Sequence, residues 1–555
     1  MFAQFTVGCE SLISDKNKII AGDSERTFMT GVLWLSLSTV IVKIIGLAYK
    51  IPLLSILGAE GMGYFNSAYE IYAMLCIIST SGLPVAISIL ISGAKERGDV
   101  SGVRRIFGVS SCVLVTLGGI GSLALGTLAR PIANAIGNPN AYYCILAVSP
   151  ALLFVCVSGA VRGYFQGHRN MFPTALSQLI EALGKLLFGV SLSSWAMQKG
   201  YPVPISAAFA VFGLVIGGFV STAFLVASKL ADNKKYRSEM CSDMPDRKTN
   251  ISDLLKIAFP ITLGAALLGV TKIIDMSLIM RRLQDMGISA LAANEIYGSY
   301  TTLAIPVFSL IPALVTPISE SLIPRLSAAK ETGERYEQKT AVEKSVRLTV
   351  LLAMPASMGI LLYSEQILDL IFRGQPKAVS TAAPLLSILG ASVLFSCLIT
   401  TTNAILQSYR RVFLPIVSMA VGALVKGISA YVLIGNANIG ELGAPISTLI
   451  CNVTVVGLNI YFVDRSVPEQ TATARLLVRP FFASVLSVAL SLAVYLPLIE
   501  RLGESVAFLS ALVFTLVAYF TFAFAFRAVS TEDLSSIPLF DRILNRKFKN
   551  KGVKK

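Results

Sequence analysis

The sequence predicts an all-α, polytopic membrane protein with 14 transmembrane helices: two pseudo-symmetric six-helix lobes, then two extra C-terminal helices. Three observations carry this. The chain is 54% hydrophobic and only 14% charged over 555 residues, with a mean hydropathy of +0.71, whereas average globular domains hold about 25% charged residues. Apolar stretches of about 20 residues recur between short polar breaks, each long enough to cross a hydrocarbon layer of about 30 Å. Short motifs of the first half return in the second.

Taken in order, the apolar runs predict helices near 29–53, 64–93, 106–128, 141–163, 171–198, 205–229, 254–280, 293–319, 346–364, 381–407, 412–434, 441–463, 476–499 and 504–528. Residues 1–26 are mixed and polar and read as a cytoplasmic tail. The run after them is too long for a signal-peptide core. Helices 1–6 form an N-lobe over 27–230 and helices 7–12 a C-lobe over 253–465, joined by a charged cytoplasmic linker at 231–252. Helices 13 and 14 occupy 466–530, and a basic cytoplasmic tail, 531–555, ends in "RILNRKFKNKGVKK".

The basic residues set the orientation. They crowd the termini and the even-to-odd connections, such as Lys95, Arg97, Arg104 and Arg105, and are sparse on the other side. By the positive-inside rule both termini face the cytoplasm of a bacterial plasma membrane. The net charge of +15 is then a topological signature, and the basic tail meets anionic lipid rather than nucleic acid. The eight cysteines are scattered without a CxxC, and His168 is the one histidine. They read as small apolar fillers and a turn residue, so no metal site and no cofactor is expected. The outer loops are short and no GxxxxGK[ST] stretch is present. Enzymatic chemistry on an outer domain and ATP-driven transport therefore both lack material.

The repeat is visible residue by residue. "KII" at Lys43 returns at Lys272, "EIY" at Glu70 returns at Glu295, and "FQGHRNMFP" (165–173) resembles "LQSYRRVFLP" (406–415). Lys185 and Lys426 follow at equal spacing. Lys43, Lys185, Lys272 and Lys426 each lie about 14–16 residues from the cytoplasmic start of a helix, a depth of roughly 21–24 Å. Ionisable residues at such depth are expensive and generally functional. Glu181 stands four residues before Lys185 and Asp275 three after Lys272, so each carboxylate shares a helix face with a lysine. Lys50 follows Lys43 on the same face, and Glu70 and Glu295 enter from the outer ends of helices 2 and 8. The set reads as a cavity lined by cations (Lys43, Lys50, Lys185, Lys272, Lys426), with Glu70, Glu181, Asp275 and Glu295 as neighbouring carboxylates and candidate ion-coupling groups. Such a lining suits a phosphate-bearing or carboxylate-bearing substrate. Gly82, Pro84, Pro306 and Pro312 interrupt helical hydrogen bonding and are the hinge candidates.

Residues 31–99, "GVLWLSLSTVIVKIIGLAYK…GAKERGD", and 162–186, "RGYFQGHRNMFPTALSQLIEALGKL", resemble the polysaccharide-transporter branch of the multidrug/oligosaccharidyl-lipid/polysaccharide (MOP) exporter superfamily. Within it, they are similar to the group of stage V sporulation protein B and the MurJ-type lipid II flippases. The resemblance implies a V-shaped, two-lobed carrier that moves an undecaprenyl-pyrophosphate-linked glycan to the outer leaflet, the peptidoglycan precursor lipid II foremost. It also implies association with membrane lipids and cell-wall polymerases, and a role in cell shape or sporulation. Lys43 stands where that family's first-helix stretch has its first arginine, Tyr49 stands at the second, and Lys50 follows. "AMLCIIST" offers no counterpart to its helix-2 arginine. A flippase for a capsule or O-antigen glycan, or a multidrug antiporter of the same superfamily, are the alternatives.

Overall fold

The computed structural model describes residues 2–236, 251–331, 333–467 and 473–526. Most of the expected linker and all of the basic tail lie outside these residues. The chain divides into two compact units, residues 1–269 and 270–555.

Unit 1 opens with α1 (Phe2–Ser81). Its backbone is helical through most of the expected tail over 1–26, a segment with only Gly8 and Gly22 and no proline to stop it. The helix breaks at Gly58, at φ 66° and ψ −179°, a conformation open to glycine. The first two expected spans are therefore two helices that meet at Gly58 without an intervening loop. A second break at Gly82 starts α2 (Leu83–Glu96), with Pro84 in its first turn, where a missing N–H costs nothing. Then come α3 (Val100–Thr127), α4 (Ala129–Ile136), α5 (Tyr142–Val148), α6 (Ala151–Gly167), α7 (Phe172–Gln198), α8 (Val203–Tyr236) and α9 (Ile251–Asp285). The division between units falls inside α9. Asp99 caps α3, accepting from the Gly102 N–H at 2.6 Å and the Ser101 hydroxyl at 2.8 Å. These bonds hold its carboxyl below the usual carboxylate range.

With lipid outside, close backbone approach does the packing that the hydrophobic effect does in water. Gly159, Gly163 and Gly167 form one stripe on α6 that admits Pro84, Ile87 and Ile91 of α2. A Cβ at Gly163 would stand 2.8 Å from the Pro84 carbonyl oxygen. On α7 and α8, Gly184 meets Gly217 and Gly189 meets Gly213. At Gly82 a Cβ would run into the Ala258 carbonyl and the Thr262 hydroxyl of α9. Around these contacts sits an apolar core including Leu83, Ile87, Ile91, Leu114, Phe165 and Leu225.

Unit 2 continues with α10 (Ala290–Ser299), a π-turn at Tyr300–Ala304, α11 (Ile305–Glu331), α12 (Arg335–Leu362), α13 (Ser364–Ile371), α14 (Pro376–Ser408), α15 (Phe413–Ile434), α16 (Gly443–Asp464), α17 (Thr473–Leu502) and α18 (Glu504–Ala525). The π-turn has a cause: Pro306 has no N–H for the Thr302 carbonyl, and a wider turn just before it relieves the ring clash. Buried hydroxyls hold helices together. Ser319 of α11 and Thr349 of α12 both meet Thr401 of α14, at 3.1 and 2.6 Å. Asn459 of α16 donates to Thr402 at 3.0 Å and Asn403 at 2.8 Å. The last two helices lie on α12 and α13. The Tyr519 hydroxyl donates to the Leu351 carbonyl at 3.0 Å, and Tyr363 and Ser491 hydroxyls meet at 2.6 Å. The opposite face of α18, with Val513, Val517 and Phe520, is exposed apolar surface, as a lipid-facing helix requires.

Among the described residues, 12 stretches are long and apolar enough to cross a membrane. The first, Ile41–Glu96, takes in two expected spans. The expected span at 254–280 falls in α9, which is not among the 12. Of the described cysteines, Cys144, Cys156, Cys397 and Cys451 are buried, whereas Cys112 is exposed.

The internal repeat is legible in backbone geometry. Arg169, between α6 and α7, has φ 61° and Arg410, between α14 and α15, φ 60°; they are the non-glycine positive-φ residues of the described chain. Both turns carry the same bonds: Arg169 N–H to Gln166 and Asn170 N–H to Phe165 in one, Arg410 N–H to Gln407 and Arg411 N–H to Leu406 in the other. This is one helix-ending motif used twice.

The α2–α6 contact gives a test. Gly163→Val should lower the melting temperature of the purified protein, corresponding to about 1–3 kcal/mol of overpacking. Gly46→Ala, where an added Cβ meets nothing within 4 Å, should leave it within about 0.5 kcal/mol. A thermal unfolding scan in detergent reads both.

Candidate functional site

The intramembrane charges depend on how helices register. In unit 1, the Ser38 hydroxyl of α1 donates to Gln178 of α7 at 3.4 Å, an offset of 140 residues. Tyr49 packs on Gly189 at the same offset. The two helices therefore run parallel, Lys43 level with Leu183 and Lys185 level with Ile45. The two lysines differ in depth by about 3 Å. They do not share a face. Lys185 is seven residues past Gln178 and turns toward α1, whereas Lys43 is five past Ser38, about 140° around its helix. Lys43 is exposed and Lys185 half-buried. Among the described residues, neither makes an ion pair.

Lys185 has no ion pair because Glu181 is taken. Arg162 of α6 donates from Nη2 to Glu181 Oε2 at 3.0 Å and from Nε to the Ser177 hydroxyl at 3.1 Å. The side chains are 17% and 29% exposed. The helix spacing that puts Glu181 beside Lys185 is real, but the contact runs across helices instead. Arg162 is the residue that sequence reasoning missed. It falls at the end of an expected span and reads as an interfacial basic residue. The hairpin offered a signal: folding the chain about the turn at 168–171 sets position 162 opposite 177.

In unit 2, Lys426 Nζ donates to Asp275 Oδ2 at 2.7 Å, with side chains only 7% and 11% exposed. Arg282 Nε donates to the Tyr431 carbonyl at 3.2 Å, in nearly the same register. So α9 and α15 are parallel, as α1 and α7 are. The partner that Lys426 lacks within its own helix comes from α9. Lys272, three residues before Asp275, is exposed. Glu295 meets Lys377 at 2.8 Å at the far end of α10. Lys50 and Glu70 are half-buried. No group of three metal-ligating side chains occurs among the described residues.

Setting the repeats side by side, Lys43 corresponds to Lys272 and Lys185 to Lys426, while the carboxylates have moved. Position 46 is Gly where unit 2 has Asp275, and position 422 is Gly where unit 1 has Glu181. Arg162 corresponds to Asn403 and Ser177 to Ser418. Unit 1 therefore sets Arg162 and Lys185 around Glu181, and unit 2 sets Lys426 and Lys272 around Asp275, with the carboxylate on a different helix of the repeat.

Parallel helices in two repeats, glycine-mediated packing and paired intramembrane charges define a multi-pass membrane protein with the MATE/MurJ-like fold of the MOP superfamily. A solved structure of the lipid II flippase MurJ, inward closed, aligns with a TM-score of 0.65 over 89% of this chain and 99% of its own, at 14% identity. An inward-facing multidrug resistance MATE family transporter of the MOP superfamily aligns at 0.63, over 79% and 99%, at 13% identity. A model of the polysaccharide biosynthesis protein family matches residues 28–330, and the chain belongs to that family. A MatE model matches residues 260–432. Stage V sporulation protein B of Bacillus subtilis (strain 168) is 23% identical over 530 residues, 94% of this chain and 100% of the relative. Lipid II flippase MurJ of the same organism is 26% identical over 418 residues, 72% of this chain and 76% of the relative.

The buried pair predicts a stability pattern. Lys426→Met takes the hydrogen-bonded ammonium from a buried carboxylate and should cost about 3 kcal/mol, whereas Asp275→Leu with Lys426→Met should recover most of it. Thermal unfolding of the two purified variants reads the difference.

Proposed function

We propose that this protein is a flippase that carries an undecaprenyl-pyrophosphate-linked glycan, lipid II foremost, from the inner to the outer leaflet by alternating access. The observation that carries the reading is the charge set of unit 1: Lys43 and Lys185 lie at one depth inside the membrane span, without ion pairs. A polysaccharide biosynthesis family member with that lining suits a polyanionic head group. Within unit 1, Lys50 lies seven residues beyond Lys43 and extends the cationic set.

The energetics favour outward movement. A charge crossing the full potential is worth about 2.3 kcal/mol per 100 mV, so a head group near −2 gains roughly 4–5 kcal/mol per 100 mV. No nucleotide or other cofactor is required. Breaks at Gly82 and Pro84 and the distortion before Pro306 and Pro312 are places for the helices to bend. The basic residues favour cytoplasmic termini in a bacterial plasma membrane, beside the polymerases that consume the glycan. The relative named for stage V sporulation favours a wall-building role in sporulation or cell shape.

A multidrug antiporter is the second reading, favoured by the MatE match over 260–432. It asks for free carboxylates, whereas Glu181, Asp275 and Glu295 are all held by cations.

The test is depletion in the native cell, followed by identification of the lipid-linked glycan that accumulates in the inner leaflet. Lipid II accumulation is expected. A Lys43→Ala/Lys185→Ala variant at normal protein level should lower flipping about tenfold or more. Wild-type flipping by that variant overturns the cationic-lining reading, and accumulation of a different glycan reassigns the substrate.

A further inference from the structure

We propose that Arg162, oriented by the buried Ser177 hydroxyl, and Lys185 of unit 1 form a phosphate subsite that is occupied by Glu181 in the unloaded protein, and that Glu181 gives way when the phosphate of a lipid-borne ligand enters. The inference rests on the flippase reading for the identity of its ligand, but its geometry is independent of it.

Three observations lead here. First, the cluster is unbalanced. Arg162 and Lys185 flank one carboxylate, and Glu181 contacts Arg162 through one oxygen, Oε2. The remaining guanidinium nitrogen, Nη1, has no partner among the described residues. A planar guanidinium with an unused donor matches a tetrahedral phosphate better than a single carboxylate oxygen does. Second, the cluster is reachable: Arg162 and Glu181 keep 17% and 29% of their side-chain surface. The buried pair of unit 2, Lys426 with Asp275, keeps only 7% and 11%. Third, the repeat shows what a purely structural solution looks like in this fold. Where unit 2 places Asn403 and Gly422, unit 1 places Arg162 and Glu181. That exchange adds one charge of each sign to a helix pair that packs without them.

The groups also form a gradient of depth. Arg162 is five residues from the turn at the end of α6, Glu181 nine from the start of α7 and Lys185 thirteen. These spacings correspond to about 8, 13 and 20 Å along the helices. A phosphate that displaces Glu181 from Arg162 enters at the shallow end and has Lys185 above it. Glu181 then sets affinity from within: it keeps Arg162 oriented, excludes smaller anions and limits how tightly the ligand is held, so that release remains fast.

The experiment measures binding of geranylgeranyl pyrophosphate to the full-length protein in detergent. Glu181→Gln removes the competing charge and should bind it about tenfold tighter than wild type. Arg162→Gln/Glu181→Gln keeps the shape of the pair without its charges and should bind more weakly than wild type, as should Lys185→Gln. Geranylgeraniol, which has no phosphate, should not distinguish the variants. Inorganic pyrophosphate should compete, only at much higher concentration. A pair that merely fixes packing predicts weaker or unchanged binding by a Glu181→Gln protein that elutes and melts as wild type does, and that result overturns the proposal. Competition by inorganic pyrophosphate at equal concentration overturns the assignment to a lipid-borne ligand. The two readings fail separately. Glycan accumulation on depletion with no gain in Glu181→Gln removes the subsite and leaves the flippase. Tighter binding by Glu181→Gln with no accumulated glycan removes the flippase and leaves the subsite.

Discussion

A charge inside a hydrocarbon layer is costly unless it is paired or faces a water-filled cavity. In unit 2 one such pairing is made: Asp275 and Lys426 meet at 2.7 Å with little exposed surface. Bringing that contact about requires α9 and α15 to be parallel and correctly registered. In unit 1 the corresponding parallel pair, α1 and α7, has no carboxylate at position 46, and the one at position 181 turns to a third helix. The same backbone plan thus carries its paired carboxylate on a different helix in each unit.

The register on which these contacts depend comes from small residues. Gly184 against Gly217, and Gly189 against Gly213 and Tyr49, fix α7 to both neighbours to within a fraction of a turn. Larger residues would separate the axis of α7 from those of α1 and α8 and carry Glu181 and Lys185 with it. The glycines and the charges are therefore one constraint. The close approach sets the distance, and the charges exploit it.

Much of this is legible in the sequence, for physical reasons that also mark its limits. Hydrophobic length and the recurrence of "KII" and of the "FQGHRNMFP"/"LQSYRRVFLP" segments reveal helices and repeat, because both can be read along the chain without knowing which helices touch. The similar depth expected of Lys43 and Lys185 follows from counting residues along straight helices. What spacing along one helix cannot reveal is which neighbour reaches across. It pairs Glu181 with Lys185, whereas the carboxylate faces Arg162, because α6 and α7 form a tight hairpin that sets 162 opposite 177. It leaves Lys426 alone, because its partner lies 151 residues away in sequence. The polar "GAEG" that a hydropathy window registers as a boundary does mark the break at Gly58, but the break is a single residue and not a loop.

The exchange of carboxylates between repeats has a consequence for the electrostatics of the whole fold. Glu181 and Asp275 do not occupy equivalent positions: Glu181 is bonded to Arg162 and Asp275 to Lys426. The lysine left beside each carboxylate is then a different member of the repeat, Lys185 in unit 1 and Lys272 in unit 2, so a backbone plan used twice carries its charges on different helices.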